Sequence, residues 1–129
     1  MVNRMLRGRR PVPEGARDKG QASIEFAGVL FILLIAGVAA IQLGLAAYSI
    51  QQAGTASRAA ARAASQHDAG WEQVGRSSMS DWLAEGTDFP PPEYETDAVT
   101  VTAKVHIPSI IPLFEFDDPA ERSTTMPLD

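Results

Sequence analysis

The residues best placed to do chemistry lie near the N-terminus, where a basic leader meets a long apolar run. There Gly20 is followed by four residues and then by Glu25 and Phe26. A carboxylate at the start of a membrane helix is costly to desolvate, by about 2.5–3.5 kcal/mol at the bilayer centre and less near the interface. The N-terminal end of the helix dipole offsets part of that cost. Taken alone, Glu25 fits an interfacial residue that favours a helix N-terminus, but Gly20 and the positive leader before it make a more specific pattern.

Other constellations that could support catalysis or metal binding are missing from the sequence. The absence of cysteine excludes a disulfide scaffold, a thiolate metal site and a thiol nucleophile. His67 and His106 are far apart and have no neighbouring ligand pattern, and no Gly-rich phosphate loop follows a strand. Four acidic residues between positions 115 and 121 could bind Ca²⁺ weakly, although such clusters are more often solvated loops. We therefore expect no enzyme, no cofactor and no metal site.

The apolar run that follows Glu25 predicts a transmembrane helix. No charged residue stands between Glu25 and Arg58, and residues 26–50 have few polar interruptions. About 20 apolar residues suffice to span a bilayer core. A buried core helix would need more covering elements than this chain offers. A cleaved signal peptide would have a hydrophobic region of only about 7–15 residues, so this run is too long for one, although its Ala-rich end leaves that alternative open.

The distribution of charge predicts the orientation of this helix. Residues 1–20 carry six basic and two acidic side chains, whereas residues 21–129 carry five basic and fourteen acidic ones. Short basic flanks stay in the cytoplasm, so we expect a single-pass protein of the cell membrane with a cytoplasmic leader and an acidic extracytoplasmic domain. That acidic part would repel nucleic acid, since phosphate binding needs clustered Lys and Arg.

The predicted helix continues past the membrane and carries a face of small residues. Residues 51–66 are rich in Ala, the best helix former, so we expect a helix over residues 21–66. Ala36, Ala40 and Gly44 share one face at four-residue spacing, which lets membrane helices approach closely. An equally good interpretation is that Ala and Gly are simply common in membrane helices.

Residues 67–129 are expected to form a small domain. Residues 70–85 can form one amphipathic helix, with Trp71, Val74, Met79, Trp82 and Leu83 on its apolar face. Apolar and polar residues alternate over residues 99–107, which is typical of a half-buried strand, and residues 122–126 can return as an antiparallel strand. We expect residues 110–116 to form the connecting loop and to lie under the sheet. The predicted fold class is α+β, with a leader over residues 1–20, the long helix over 21–66 and the domain over 67–129.

The junction resembles the processing site of type IV prepilins, in which a peptidase cuts after Gly and a Glu stands fifth in the mature chain. The sequence Ser-Ile-Glu-Phe-Ala-Gly-Val-Leu at residues 23–30 is more narrowly similar to TadE-like proteins, minor pseudopilins of the tight-adherence (Flp) pilus system. The Ala-rich stretch 53–64 with Arg58 and Arg62, and the β-prone segment 99–102, are similar too. Phe31 stands where TadE-like segments often carry Pro, and Phe26 stands where major Flp pilins usually carry Tyr.

The resemblance implies a structural subunit that a prepilin peptidase cuts between Gly20 and Gln21. The new amine of Gln21 would then neutralise Glu25 of a neighbouring subunit, next to Phe26, because pairing opposite charges removes the cost of a buried charge. The implied partners are the membrane, the peptidase, other pilins and the Tad assembly platform. The alternative is an uncleaved, signal-anchored membrane protein whose extracytoplasmic domain binds a ligand or partner, and it gives no importance to Gly20.

Overall fold

The structure is a computed structural model that describes residue 8, residues 14–112 and residues 115–129. The helices are α1 (Glu14–Ser65), α2 (Trp71–Ser77) and α3 (Asp81–Ala84), and the strands are β1 (Thr87–Asp88), β2 (Glu93–Tyr94), β3 (Ala98–Val105) and β4 (Ala120–Pro127). The chain divides into two compact units, residues 1–37 and residues 38–129. The predicted α+β class, with a long N-terminal helix before a small antiparallel sheet, is confirmed. Most of the predicted leader, residues 1–7 and 9–13, lies outside the described residues, as do residues 113 and 114 of the predicted connecting loop.

Helix α1 begins earlier than the sequence predicted and ends almost where expected. Its first residue, Glu14, lies inside the predicted leader, and its last residue, Ser65, is one short of the predicted end. Termination follows from His67, which adopts a positive φ of 58°. The amide of His67 donates to Ala64 O (3.0 Å) and that of Asp68 to Ala63 O (3.1 Å). This pair of bonds is the Schellman arrangement, which satisfies carbonyls that a helix C-terminus leaves free.

Within the part of the chain that the structure describes, α1 is the one helix long and apolar enough to cross a membrane. Only 6% of its most apolar stretch is buried inside the protein. A core helix of a soluble protein would be covered by its own chain. The length, composition and exposure of α1 therefore support single-pass membrane anchoring.

Strand β3 is the centre of a four-stranded antiparallel sheet. It pairs over its whole length with β4, from Ala98 opposite Pro127 to Val105 opposite Ala120. Its other edge pairs with β1 near Val105 and with β2 near Val99. Three prolines at residues 90–92 separate β1 from β2, and proline cannot donate a ladder hydrogen bond. The predicted strands are both present, and β1 and β2 are additional.

The core lies between the sheet and the Ala-rich half of α1. Val99, Val101, Ala103 and Val105 are fully buried, whereas Thr100 and Thr102 on the opposite face pair their hydroxyls with those of Thr125 and Ser123. The predicted alternation is therefore confirmed. The valines join one cluster with the small residues of α1, which are Ala53, Ala56, Ala60, Ala61 and Ala64. Small side chains give the helix a low surface on which a sheet can lie closely.

The amphipathic helix predicted over residues 70–85 is wrong as a single element, because the chain forms α2 and α3 with a break between them. At the break, Ser80 is extended and its amide donates to Gln52 Oε1 of α1 (2.9 Å). Met79 and Leu83 are buried as predicted, but Val74 is exposed, and Trp82 is 53% exposed and stacks on Tyr48 with the ring planes 8° apart. Anchoring to α1 outweighs the continuity of the helical pattern.

Candidate processing and assembly site

Gly20 and Gln21, the predicted processing site, lie inside α1 on its exposed surface. A Cβ built on Gly20 would meet no atom within 4 Å. Two residues further on, the Ser23 hydroxyl donates to the carbonyl of Lys19 (2.8 Å), across this same turn. The bond between Gly20 and Gln21 is thus accessible but helical. Glycine lowers the cost of opening a helix locally, by about 0.5–1 kcal/mol relative to alanine.

Glu25 is exposed and lacks a charged partner. No ion pair involves it among the residues that the structure describes. Positions three and four residues away along a helix are the ones that can pair with it, and they hold Gln21, Ala22, Gly28 and Val29. None of these four residues carries a positive charge, so the described helix offers Glu25 no partner at these positions.

An exposed apolar surface follows Glu25 along the helix. It begins with Phe26, which is 69% exposed. The exposed large side chains of this stretch are Phe26, Val29, Leu30, Phe31, Ile32, Leu33, Leu34 and Ile35. In water such a surface would be strongly unfavourable, at about 25 cal/mol per Å² of apolar area. It is suited to lipid or to the apolar helices of other proteins.

The predicted small-residue face is also uncovered. Ala36, Ala40 and Gly44 are all exposed, and a Cβ on Gly44 would meet nothing within 4 Å. They stand on successive turns of α1, so a second helix could approach closely there. The first turns of the same helix carry the other predicted site residues, which are Gly20, Gln21, Glu25 and Phe26.

A groove of about 490 Å³ lies beside the far half of α1 and is basic in an otherwise acidic domain. Arg58 on the helix and Arg122 on β4 line it, together with hydroxyl groups of Thr55, Ser57, Ser123 and Thr124. The Ser57 hydroxyl is buried and bonded to Thr124 Oγ1 (2.8 Å), which joins helix and strand at the groove. Neither arginine forms an ion pair within the described ranges. No group of three or more metal-binding side chains occurs in those ranges either.

Gln42 has a structural role that its place in the sequence, as a polar interruption of the apolar run, did not predict. It is buried and its amide bonds the segment after β3. A signal was present in the sequence, because small or polar residues recur at alternating steps of four and three from this position. The members of this buried stripe are Gln42, Ala46, Ser49, Ala53, Ala56, Ala60 and Ala63.

Comparison with known proteins bears on the helix and not on the sheet. The family model described as TadE-like protein matches residues 20–62. No curated protein and no solved structure gives a significant match to this chain. The matched segment starts at Gly20 and ends near the C-terminus of α1, so it contains the junction, the apolar surface and the Ala-rich half. Over residues 20–62 this chain is therefore similar to TadE-like proteins, as its sequence predicted.

Proposed function

We propose that this protein is a minor pseudopilin of a Tad (Flp) pilus, cut after Gly20 by a prepilin peptidase and then packed against other pilins through α1. The observation that carries the proposal is Glu25, a carboxylate at the start of an exposed apolar helix that forms no ion pair with any residue the structure describes. When apolar helices or lipid surround this part of α1, a charge there without a partner is strongly unfavourable. Its presence at the edge of this surface is best accounted for by a partner that arrives during assembly.

Insertion comes first in the proposed mechanism. The basic leader stays in the cytoplasm and the acidic domain lies on the other side of the membrane. This orientation puts the Gly20–Gln21 bond at the cytoplasmic face. A membrane peptidase can reach it there, because the bond lies just before the apolar surface and Gly20 eases local opening of the helix.

Cleavage then changes the charge at the junction. It removes the leader with its six basic side chains and creates an α-amine on Gln21. In a low-dielectric environment this amine attracts a carboxylate far more strongly than in water. The Glu25 carboxylate of an adjacent subunit would be neutralised by it, and the apolar surfaces and small-residue faces of the two helices would then pack.

The size of the exported domain supports a minor rather than a major subunit. Residues 67–129 fold into two short helices and four strands on the Ala-rich half of α1. A structural subunit needs no catalytic centre, and the proposal assigns none. The partners it requires are the peptidase, other pilins and the Tad assembly platform.

The experiment is N-terminal sequencing and intact-mass measurement of the tagged full chain, recovered from the membranes of a bacterium that carries a Tad system. We expect a chain that begins at Gln21, and we expect Gly20→Asp to remain unprocessed. Gly15→Asp is the matched control, because Gly15 is an exposed helical glycine of the leader with nothing within 4 Å. Normal processing of Gly20→Asp would refute the cleavage step, and a wild-type chain that begins at Met1 would favour the uncleaved, signal-anchored protein.

The assembly step is tested separately with Glu25→Ala. This variant should be cut normally but should be lost from sheared pilus fractions and from crosslinks to other pilins. Asp18→Ala is the control, since it removes a carboxylate from the leader and not from the mature helix. Wild-type incorporation of Glu25→Ala would refute the charge-pairing role.

A further inference from the structure

The unit formed by residues 38–129 has one apolar end, located where the buried stripe of α1 begins. Gln42 is 4% exposed, whereas its neighbour Leu43 is 70% exposed, and Ile41 is exposed as well. Beyond this point toward the C-terminus, one side of α1 is covered by the domain. The domain therefore begins to cover α1 at this apolar end.

The Gln42 side chain forms two hydrogen bonds, the Gln42 clamp, that hold a loop segment at this end of the unit. Gln42 Nε2–H donates to Pro108 O (2.9 Å), and the amide of Ile110 donates to Gln42 Oε1 (2.9 Å). These two bonds thus hold residues 108–110 beside the turn of α1 that carries Gln42.

The side chains that this segment presents are apolar. Ile110 is 46% exposed, Pro112 is exposed and Ile111 is half-buried. The Gln42 amide, by contrast, has both its donor and its acceptor side satisfied by backbone groups. An amide bonded in this way can lie at an apolar depth without the cost of an unpaired polar group.

The position of Gln42 along α1 sets the depth that this segment would have in a membrane. A helix needs about 20 residues, at 1.5 Å each, to cross a hydrocarbon core of about 30 Å. A span that begins just after Glu25 ends near Leu45. Such a span would put the loop bonded to Gln42 at the level of the bilayer interface.

We propose that Ile110, Ile111 and Pro112 enter the interface of the leaflet from which α1 emerges, so that the domain is seated on the lipid surface. The proposed occupant is lipid, because the exposed apolar side chains of Ile41, Leu43 and Ile110 all belong to the end of this unit that the α1 span would carry to the membrane surface. Attraction to anionic headgroups is not the cause, since Glu115, Asp117 and Asp118, close by in sequence, are exposed acids. The seating should therefore occur on zwitterionic lipid and should be insensitive to salt.

This inference rests on membrane anchoring and needs neither cleavage nor a pilus. It can therefore fail while the proposed function holds, and it can hold while the proposed function fails. The test uses the full chain in phosphatidylcholine vesicles. The chain has no cysteine, so Ile110→Cys can carry a single nitroxide. The accessibility of this nitroxide to oxygen and to a water-soluble nickel chelate reports its depth in the bilayer.

Ser77→Cys is the control position. Ser77 is exposed on α2, and α2 packs at Gly75 against Ala60, which is eighteen positions beyond Gln42. That separation is about 27 Å along the helix, so this label should stay in water. We expect the ratio of oxygen to nickel accessibility to be several-fold higher at residue 110 than at residue 77, and unchanged by salt.

Two further measurements make the result decisive. Gln42→Leu should lower the ratio at residue 110, because it removes both bonds of the clamp. Equal ratios at residues 110 and 77 would overturn the proposal, as would a high ratio at residue 110 that disappears when the protein is diluted in lipid. Loss of the high ratio on dilution would mean that another copy of the chain, and not lipid, covers the loop.

Discussion

Replacing Gly75 by alanine tests how tightly the domain is packed on α1. Gly75 is buried inside α2, and an added Cβ would lie 2.9 Å from Cε1 and Cζ of Phe89 and 3.0 Å from the Cβ of Ala60. At such distances something must move. Ala60 is fixed to the backbone of α1, and Phe89 meets Trp71 edge-on while the Arg76 guanidinium lies 5.3 Å from its ring centre.

The sign of the effect depends on two opposing contributions to the free energy of unfolding. Alanine is favoured over glycine in a helix interior by about 1 kcal/mol. Forcing an extra methyl group into a packed core costs about 1–3 kcal/mol. Because neither neighbour can move freely, we expect overpacking to win and Gly75→Ala to lose about 1 kcal/mol. For a unit of this size that corresponds to a fall in Tm of about 4–8 °C.

The assay is thermal unfolding of the full chain in detergent, followed by near-ultraviolet circular dichroism of the tryptophans. Gly44→Ala is the matched control, because the same added methyl group would meet no atom within 4 Å and should leave Tm unchanged or raise it. Combining Gly75→Ala with Phe89→Leu should cost less than the sum of the two single changes, since the smaller side chain makes room. A Gly75→Ala protein as stable as the wild type would refute the packing argument.

Two further changes test other parts of the domain by denaturant unfolding of the same detergent-solubilised chain. His67→Gly should raise the free energy of unfolding by about 0.5–1 kcal/mol. A left-handed conformation costs a non-glycine residue about 1–2 kcal/mol, and part of that gain is lost to the larger unfolded-state entropy of glycine. A loss of stability would show that the His67 side chain contributes to the native state. Val101→Ala should lower the free energy of unfolding by about 2 kcal/mol, since Val101 is fully buried against the Ala-rich face. Thr100→Ala, on the outer face of the same strand, should cost less than 1 kcal/mol, and equal effects of the two changes would contradict the assigned faces.

The elements that sequence predicted well are those whose own pattern is strong. Strand β3 alternates buried and half-buried residues over its whole length, because every second side chain points at α1. The end of α1 was predicted to within one residue, since the Ala-rich stretch stops at Ser65. In both cases the local preference of the chain and its tertiary environment favour the same structure.

The elements that sequence missed depend on tertiary partners. Strands β1 and β2 have only two residues each, which is too short for any periodicity, and they exist because β3 offers a free edge. The break between α2 and α3 is fixed by a bond from Ser80 to Gln52, twenty-eight positions away. The absence of a helical partner for Glu25 could be inferred from spacing, whereas the shared groove of Arg58 and Arg122 could not, because these residues are 64 positions apart and are brought to one groove by the fold of β4 on α1.

Gln42 lies where α1 changes from an exposed apolar helix, suited to a membrane, to a helix on which the domain packs. Before this residue the apolar side chains of α1 are exposed and suit lipid or apolar helices of other proteins. From this residue on, the buried stripe repeats at alternating steps of four and three, and the sheet covers it. At this residue the segment after β3 brings the Pro108 carbonyl and the Ile110 amide to the helix, and the Gln42 amide bonds both of them. A leucine at this position would extend the apolar surface of the helix but would leave these two backbone groups without this partner, so a polar residue here stabilises the packing of the segment on α1.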